Sequence, residues 1–145
     1  MVWDKLIRAL GGAAAADPAP RGLAVAVLLL ETARADFEHA EQELQAARHI
    51  LAEMFSLDQT ALDRLMTQAE AEARLAVSLH GFVTELNRTL DGAAKTGLIG
   101  SLWRVAHADG QVHPQEEHLI RRLADLLHVP HHEFVRQRLA TTDTP

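Results

Sequence analysis

The stretch VAHADG at residues 105–110 has a counterpart, TARADF, at residues 32–37 of the same chain. Both stretches contain the pattern Ala-x-Ala-Asp, which aligns Asp36 with Asp109 at an offset of 73 residues. In each case an apolar segment precedes the pattern, and a segment that opens with glutamates follows it. This arrangement predicts two copies of one unit, each an apolar helix, a loop and a second helix.

The agreement between the two stretches continues downstream. Glu43 aligns with Glu116 at the same offset, and after a slip of one residue the apolar positions of the second helices also match. The matched apolar residues are Leu51, Phe55, Leu57 and Leu62 in the first copy and Leu123, Leu127, Val129 and Phe134 in the second. Two such units packed together would bury both apolar faces, so the sequence predicts a helical bundle.

Helix-forming residues dominate the rest of the chain, and the predicted fold class is all-α, a compact bundle of about seven helices. The predicted helices are 2–10, 21–36, 41–55, two within 59–88 separated by a break at 73–81, 91–107, one starting at 114, and 130–138. Asp58 and Asp91 are predicted N-caps, and Pro114 fits the first turn of its helix.

Three regions are predicted along the chain. Residues 1–20 form a short helix and a linker, in which Gly11 and Gly12 end the helix and Pro18 favours an extended chain. Residues 21–139 form the helical domain. Residues 140–145 are a frayed, threonine-rich tail.

Composition narrows the classes of function. With 145 residues and no cysteine, the chain needs no disulfide to bury a core and cannot form a zinc–thiolate site, and we expect a cytoplasmic protein. A net charge of -6 argues against nucleic-acid binding. The longest apolar run, residues 22–30, is too short to cross a bilayer, so no membrane insertion is expected. The oligomeric state is left open.

The segment HADGQVHPQEE at 107–117 and the helix that follows it resemble the TerB-like family, named for the bacterial tellurite-resistance protein TerB. The resemblance extends over residues 23–139, although Phe37 stands where the second copy has Gly110. It implies an all-helical bundle with a divalent-metal site at the repeated acids. It also implies an association with tellurite or other chemical stress, without a defined activity.

The acids that the resemblance points to are Asp36, Glu43, Asp109 and Glu116, with Glu31, Glu41 and Glu117 as further candidates. Their carboxylate oxygens suit Ca²⁺, Mg²⁺ or Mn²⁺, although the spacing is not that of an EF-hand. Structural capping is the other interpretation, because acids in a first helical turn are favoured by the helix dipole and an aspartate stabilises a turn. Both interpretations remain open at this point.

Two further features are the histidines and the surface charge. His107, His113 and His118 flank one loop and His128, His131 and His132 the next, but their spacing matches no zinc motif, so solvent-exposed histidines are expected. Residues 31–73 contain ten acids and three arginines, which makes an acidic surface for a protein partner the alternative function.

Motifs that would indicate catalysis are not found in the sequence. The serines sit in no nucleophile-elbow context, and the chain is not expected to be an enzyme. Gly97, Gly100 and Ser101 do not make a phosphate loop, because no lysine-serine or lysine-threonine pair follows them. These small residues are expected to let another helix approach closely.

Overall fold

The computed structural model describes residues 20–35, 40–76 and 78–142, with only the backbone described at residues 20, 21, 40, 109 and 142. This part of the chain contains seven α-helices, one 3-10 turn and no β-strand. The helices are α1 (Pro20–Arg34), α2 (Ala40–Phe55), α3 (Gln59–Leu75), α4 (His80–Thr89), α5 (Gly92–Ala106), α6 (Pro114–Leu126) and α7 (His131–Thr142), and the 3-10 turn is His107–Asp109. The predicted all-α bundle is therefore confirmed. The predicted helix at 2–10 lies outside the described residues.

Helix α1 is the central helix of the bundle. Its residues 24–30 are all apolar and at most 1% exposed, because α1 packs against α2, α3, α4, α5 and α6. A helix that is apolar on every face is stable in water only when other helices cover it. Near its end, the buried Thr32 donates its hydroxyl to the Leu28 carbonyl at 2.9 Å, so this polar group adds no unsatisfied donor to the core.

Helix α5 is the second buried helix, and it packs most extensively against α7. Residues 97–103 of α5 are buried, and the small residues among them let α7 approach. A Cβ added to Gly100 would overlap Gln137 Oε1, so a larger residue cannot occupy this position without a shift of the Gln137 side chain. The expectation that a glycine here admits a neighbouring helix is confirmed.

Several helices begin or end at the boundaries that local signals in the sequence predict. The carboxylates of Asp58 and Asp91 each accept a hydrogen bond at 2.8 Å, from the amides of Ala61 and Ala94. The predicted break between α3 and α4 lies at residues 76–79, where Ala76 adopts an extended conformation. The two helices predicted within 59–88 are therefore present.

The C-terminal end differs from the prediction. Helix α7 continues to Thr142, past the expected end at Arg138, and so includes three residues that the sequence assigned to the frayed tail. Burial does not account for the extra length, because Leu139 and Ala140 are exposed; within this last turn Thr141 donates its hydroxyl to the Gln137 and Arg138 carbonyls, at 3.1 and 2.9 Å. Residues 143–145 lie outside the described part of the chain.

The paired apolar positions of the proposed repeat lie in or against the same core. Leu51, Phe55 and Leu62 are buried, as are their counterparts Leu123, Leu127 and Phe134, and Leu57 packs against the core to which Val129 belongs. That the halves are copies of one unit stays a prediction.

Among the described helices, none combines the length and apolar character that crossing a membrane requires.

Candidate functional site

The turn between α5 and α6 is the better described of the two predicted acidic loops. Helix α5 ends at Ala106, and the 3-10 turn that follows closes with a hydrogen bond of 2.9 Å from the Gly110 amide to the His107 carbonyl. Gly110 has a φ of 88°, in the left-handed region that glycine adopts without strain. The backbone of Asp109 is therefore held in a closed turn immediately before a residue suited to reverse the chain.

Glu116 lies in the first turn of α6 and is completely buried, with 0% of its surface exposed. Its Oε1 accepts a hydrogen bond of 2.9 Å from the His113 amide, as in a capping box. The capping interpretation is thus correct for this oxygen. Oε2 is also buried, and among the described residues it has no hydrogen-bond partner. Since glutamates are almost never fully buried unless they are paired, capping alone does not account for this side chain.

Glu43 occupies the corresponding position at the start of α2, and it is also 0% exposed. Helix α2 packs directly against the 3-10 turn. The fold therefore brings the helix that carries Glu43 against the turn that carries Asp109, although the two residues are far apart in sequence. Asp36, the remaining acid of the predicted set, lies outside the described residues, as does the side chain of Asp109.

The three further candidates differ from these two glutamates. Glu41 is exposed, and Glu31 is only partly buried in α1. Glu117 forms an ion pair with Arg138 of α7, whose guanidinium carbon also lies 5.2 Å from the centre of the Trp103 ring. Glu117 is thus engaged in the contact between α6 and α7, which distinguishes it from the adjacent Glu116.

Helical spacing is the sequence signal that separates buried from exposed acids here. Glu43 is followed by Ala47 and Ile50, four and seven positions on, and all three side chains are buried. Glu116 is followed in the same way by the buried Ile120 and Leu123. Residues at these spacings share one helix face, so the periodicity that identified the helices also places both glutamates on the apolar face of their helix.

The histidines at the two loops are only partly as expected. His118, His128, His131 and His132 are exposed, whereas His107 and His113 are partly buried. The His107 ring stacks on Trp103 with the ring centres 6.0 Å apart, at the start of the turn that holds Asp109.

In the ranges 20–35, 40–76 and 78–142 no group of three or more His, Asp or Glu side chains is arranged to hold a metal ion. Two of the four predicted carboxylates, those of Asp36 and Asp109, lie outside what the structure describes.

The fold and the two buried glutamates define an all-helical domain in which acids occupy the ends of helices beside the interhelical turns. The family model described as tellurite resistance protein TerB matches residues 22–139, and the chain belongs to this family. Comparison with curated proteins gives no match. Comparison with solved structures gives none either.

Proposed function

We propose that the chain is a non-catalytic TerB-like domain that binds a divalent cation through Glu43, Glu116, Asp36 and Asp109. The observation that carries the proposal is the complete burial of Glu116 with one carboxylate oxygen that has no hydrogen-bond partner in the described part of the protein. A cation beside that oxygen would supply the charge compensation that a buried carboxylate requires.

The chemistry of the four side chains favours a hard cation. All the proposed donors are carboxylate oxygens, which suit Ca²⁺, Mg²⁺ or Mn²⁺ better than a soft metal. The burial of Glu43 and the packing of α2 against the turn of Asp109 support a site shared by the two halves of the domain. The proposal includes a role in the response to tellurite or other chemical stress, in keeping with the description of the family.

Thermal unfolding of the EDTA-treated protein tests the cation site. Addition of millimolar Ca²⁺, Mg²⁺ or Mn²⁺ is expected to raise the Tm, because a ligand that binds only the native state stabilises it. At a hundredfold excess over Kd the gain is about 2.7 kcal/mol, or roughly 5–10 °C for a domain of this size. The increase should disappear in the double variant Glu43→Gln, Glu116→Gln and in the double variant Asp36→Asn, Asp109→Asn.

Glu41→Gln is the matched control for this experiment. Glu41 lies two residues before Glu43 in the same first turn of α2, but its side chain is exposed. The control variant should therefore respond to the cation as the unmodified chain does. The proposal is wrong if none of the three cations shifts the Tm, or if the double variants shift as much as the control.

A protein partner at the acidic surface of α2 and α3 is the second candidate function. The exposed positions of Glu41, Glu53 and Glu72 favour it. Against it, Asp63 and Glu70 are already paired within the domain, with Arg48 and with Arg34. Binding of such a partner should weaken as salt is added and should not depend on a divalent cation.

A further inference from the structure

The carboxylate of Glu116 is held in place by the residue at which its helix begins. Its Oε1 accepts a hydrogen bond of 2.9 Å from the His113 amide, and the Glu116 amide donates in return to the His113 carbonyl at 3.0 Å. The Glu117 amide donates to the same carbonyl at 3.1 Å. These bonds fix the backbone and the side chain of Glu116 together, so the carboxylate cannot turn without losing its bond to the His113 amide.

Only the other oxygen of Glu116 is available to a ligand. Oε2 is buried and has no hydrogen-bond partner among the described residues. A cation that bound both oxygens would displace the His113 amide from Oε1, and a polar group that loses its partner in a folded protein costs free energy. Glu116 can thus give a cation one oxygen while it caps its helix.

The loop that leads to α6 is open to water. Ala108 and Gly110, the neighbours of the proposed donor Asp109, are exposed, as is Gln111. A cation that Asp109 helps to bind can therefore keep some of its water ligands, although Glu116 itself is 0% exposed. Retained water matters most for Mg²⁺, which gives up its hydration shell reluctantly.

We infer that this site selects a six-coordinate cation, Mg²⁺ or Mn²⁺, over Ca²⁺, and that the His113 amide sets the preference. The inference rests on the proposed function, because it requires that Glu116 binds a divalent cation. Ca²⁺ takes about six to eight oxygens and commonly uses one glutamate through both of its oxygens. Mg²⁺ takes about six in a near-octahedral arrangement, which Mn²⁺ shares. A glutamate limited to one oxygen favours the smaller number of ligands.

Isothermal titration calorimetry of the full chain, freed of metal with EDTA and then desalted, tests the preference. Separate titrations with the chlorides of Mg²⁺, Mn²⁺ and Ca²⁺ give the three affinities. Mg²⁺ or Mn²⁺ should bind more tightly than Ca²⁺. Glu116→Gln should weaken the binding of all three, which assigns the measured heats to this site.

Two substitutions at position 113 separate the amide from the imidazole. His113→Pro removes the backbone N–H, whereas His113→Ala removes the ring and keeps the N–H. The φ of -89° and ψ of 152° at His113 are close to the values that proline adopts. In His113→Pro the affinity for Ca²⁺ relative to Mg²⁺ should rise about tenfold, the size of effect that partners of metal ligands have. In His113→Ala this ratio should stay as in the unmodified chain.

The possible results separate the inference from the proposed function. Tighter binding of Ca²⁺ by the unmodified chain would overturn the inference and leave the cation site standing, and this comparison holds even if His113→Pro does not fold. An unchanged ratio in a folded His113→Pro variant would overturn the inference as well. Absence of binding by all three cations would instead refute the proposed function, and the inference with it.

Discussion

Replacement of Glu116 by glutamine should stabilise the protein in EDTA and destabilise it relative to the unmodified chain when a cation is bound. Glutamine keeps an oxygen that accepts the hydrogen bond from the His113 amide, so the capping geometry is retained. It removes the negative charge from a side chain that is 0% exposed. The variant therefore separates the cost of burying a charge from the benefit of capping the helix.

The expected magnitude follows from three opposing effects at this position. Loss of the charge at the N-terminus of α6 weakens the helix dipole interaction and the hydrogen bond, by about 1 kcal/mol together. Burial of a charged carboxylate with only one of its oxygens hydrogen-bonded costs several kcal/mol, whereas burial of a neutral amide group with one polar atom left unpaired costs about 1–3 kcal/mol. The difference favours the glutamine variant by about 1–2 kcal/mol, or roughly 2–8 °C in Tm.

Differential scanning calorimetry in EDTA and then in excess cation measures both effects. In EDTA the Glu116→Gln variant should unfold at a higher temperature than the unmodified chain, and in cation the order should reverse. Glu41→Gln, in an exposed first turn, should unfold slightly below the unmodified chain in both buffers. A lower Tm for Glu116→Gln in EDTA would refute the reasoning and would indicate that Glu116 acts only as a cap.

Two predictions concern backbone positions beside the site and in the core. Gly100→Ala should change the free energy of unfolding measured in urea by less than about 1 kcal/mol, because displacement of the flexible end of the Gln137 side chain offsets the better helix propensity of alanine. In a Gln137→Ala background the same change should be stabilising by about 1 kcal/mol. Equal effects in both backgrounds would contradict the contact. Gly110→Ala should cost about 1 kcal/mol through its positive φ alone, since a Cβ there meets no atom within 4 Å, and Gly110→Asn should cost less. A neutral Gly110→Ala would show that the turn has another conformation in solution.

The fold class was predictable because the bundle depends on local signals that the sequence carries in full. Asp58 and Asp91 cap their helices through side chains three residues away from the amides they bind. Continuous apolar character in 24–30 predicts a buried helix, and burial on all sides of α1 follows. The end of α7 was not predictable in this way, because no glycine or proline stops the helix between Arg138 and Thr142 and the threonines there favour helix only weakly.

The site was predictable only in part. Sequence spacing identified Glu43 and Glu116 as acids at equivalent places, but the alignment of the two copies did not separate them from their neighbours Glu41 and Glu117. Those four glutamates are alike in residue type and in their favourable position near a helix N-terminus. The rotation of about 100° per residue directs one glutamate of each pair toward the core and the other away from it.

What the sequence by itself determined is thus the helical class, most helix boundaries and the positions of the repeated acids, since these depend on contacts within a few residues. Tertiary packing alone decided that α2 lies against the turn of Asp109, that Glu117 pairs with Arg138, and that one oxygen of Glu116 is enclosed. The physical reason is that burial belongs to the assembled bundle. Helices distant in sequence must meet before a carboxylate at the end of one of them loses its water.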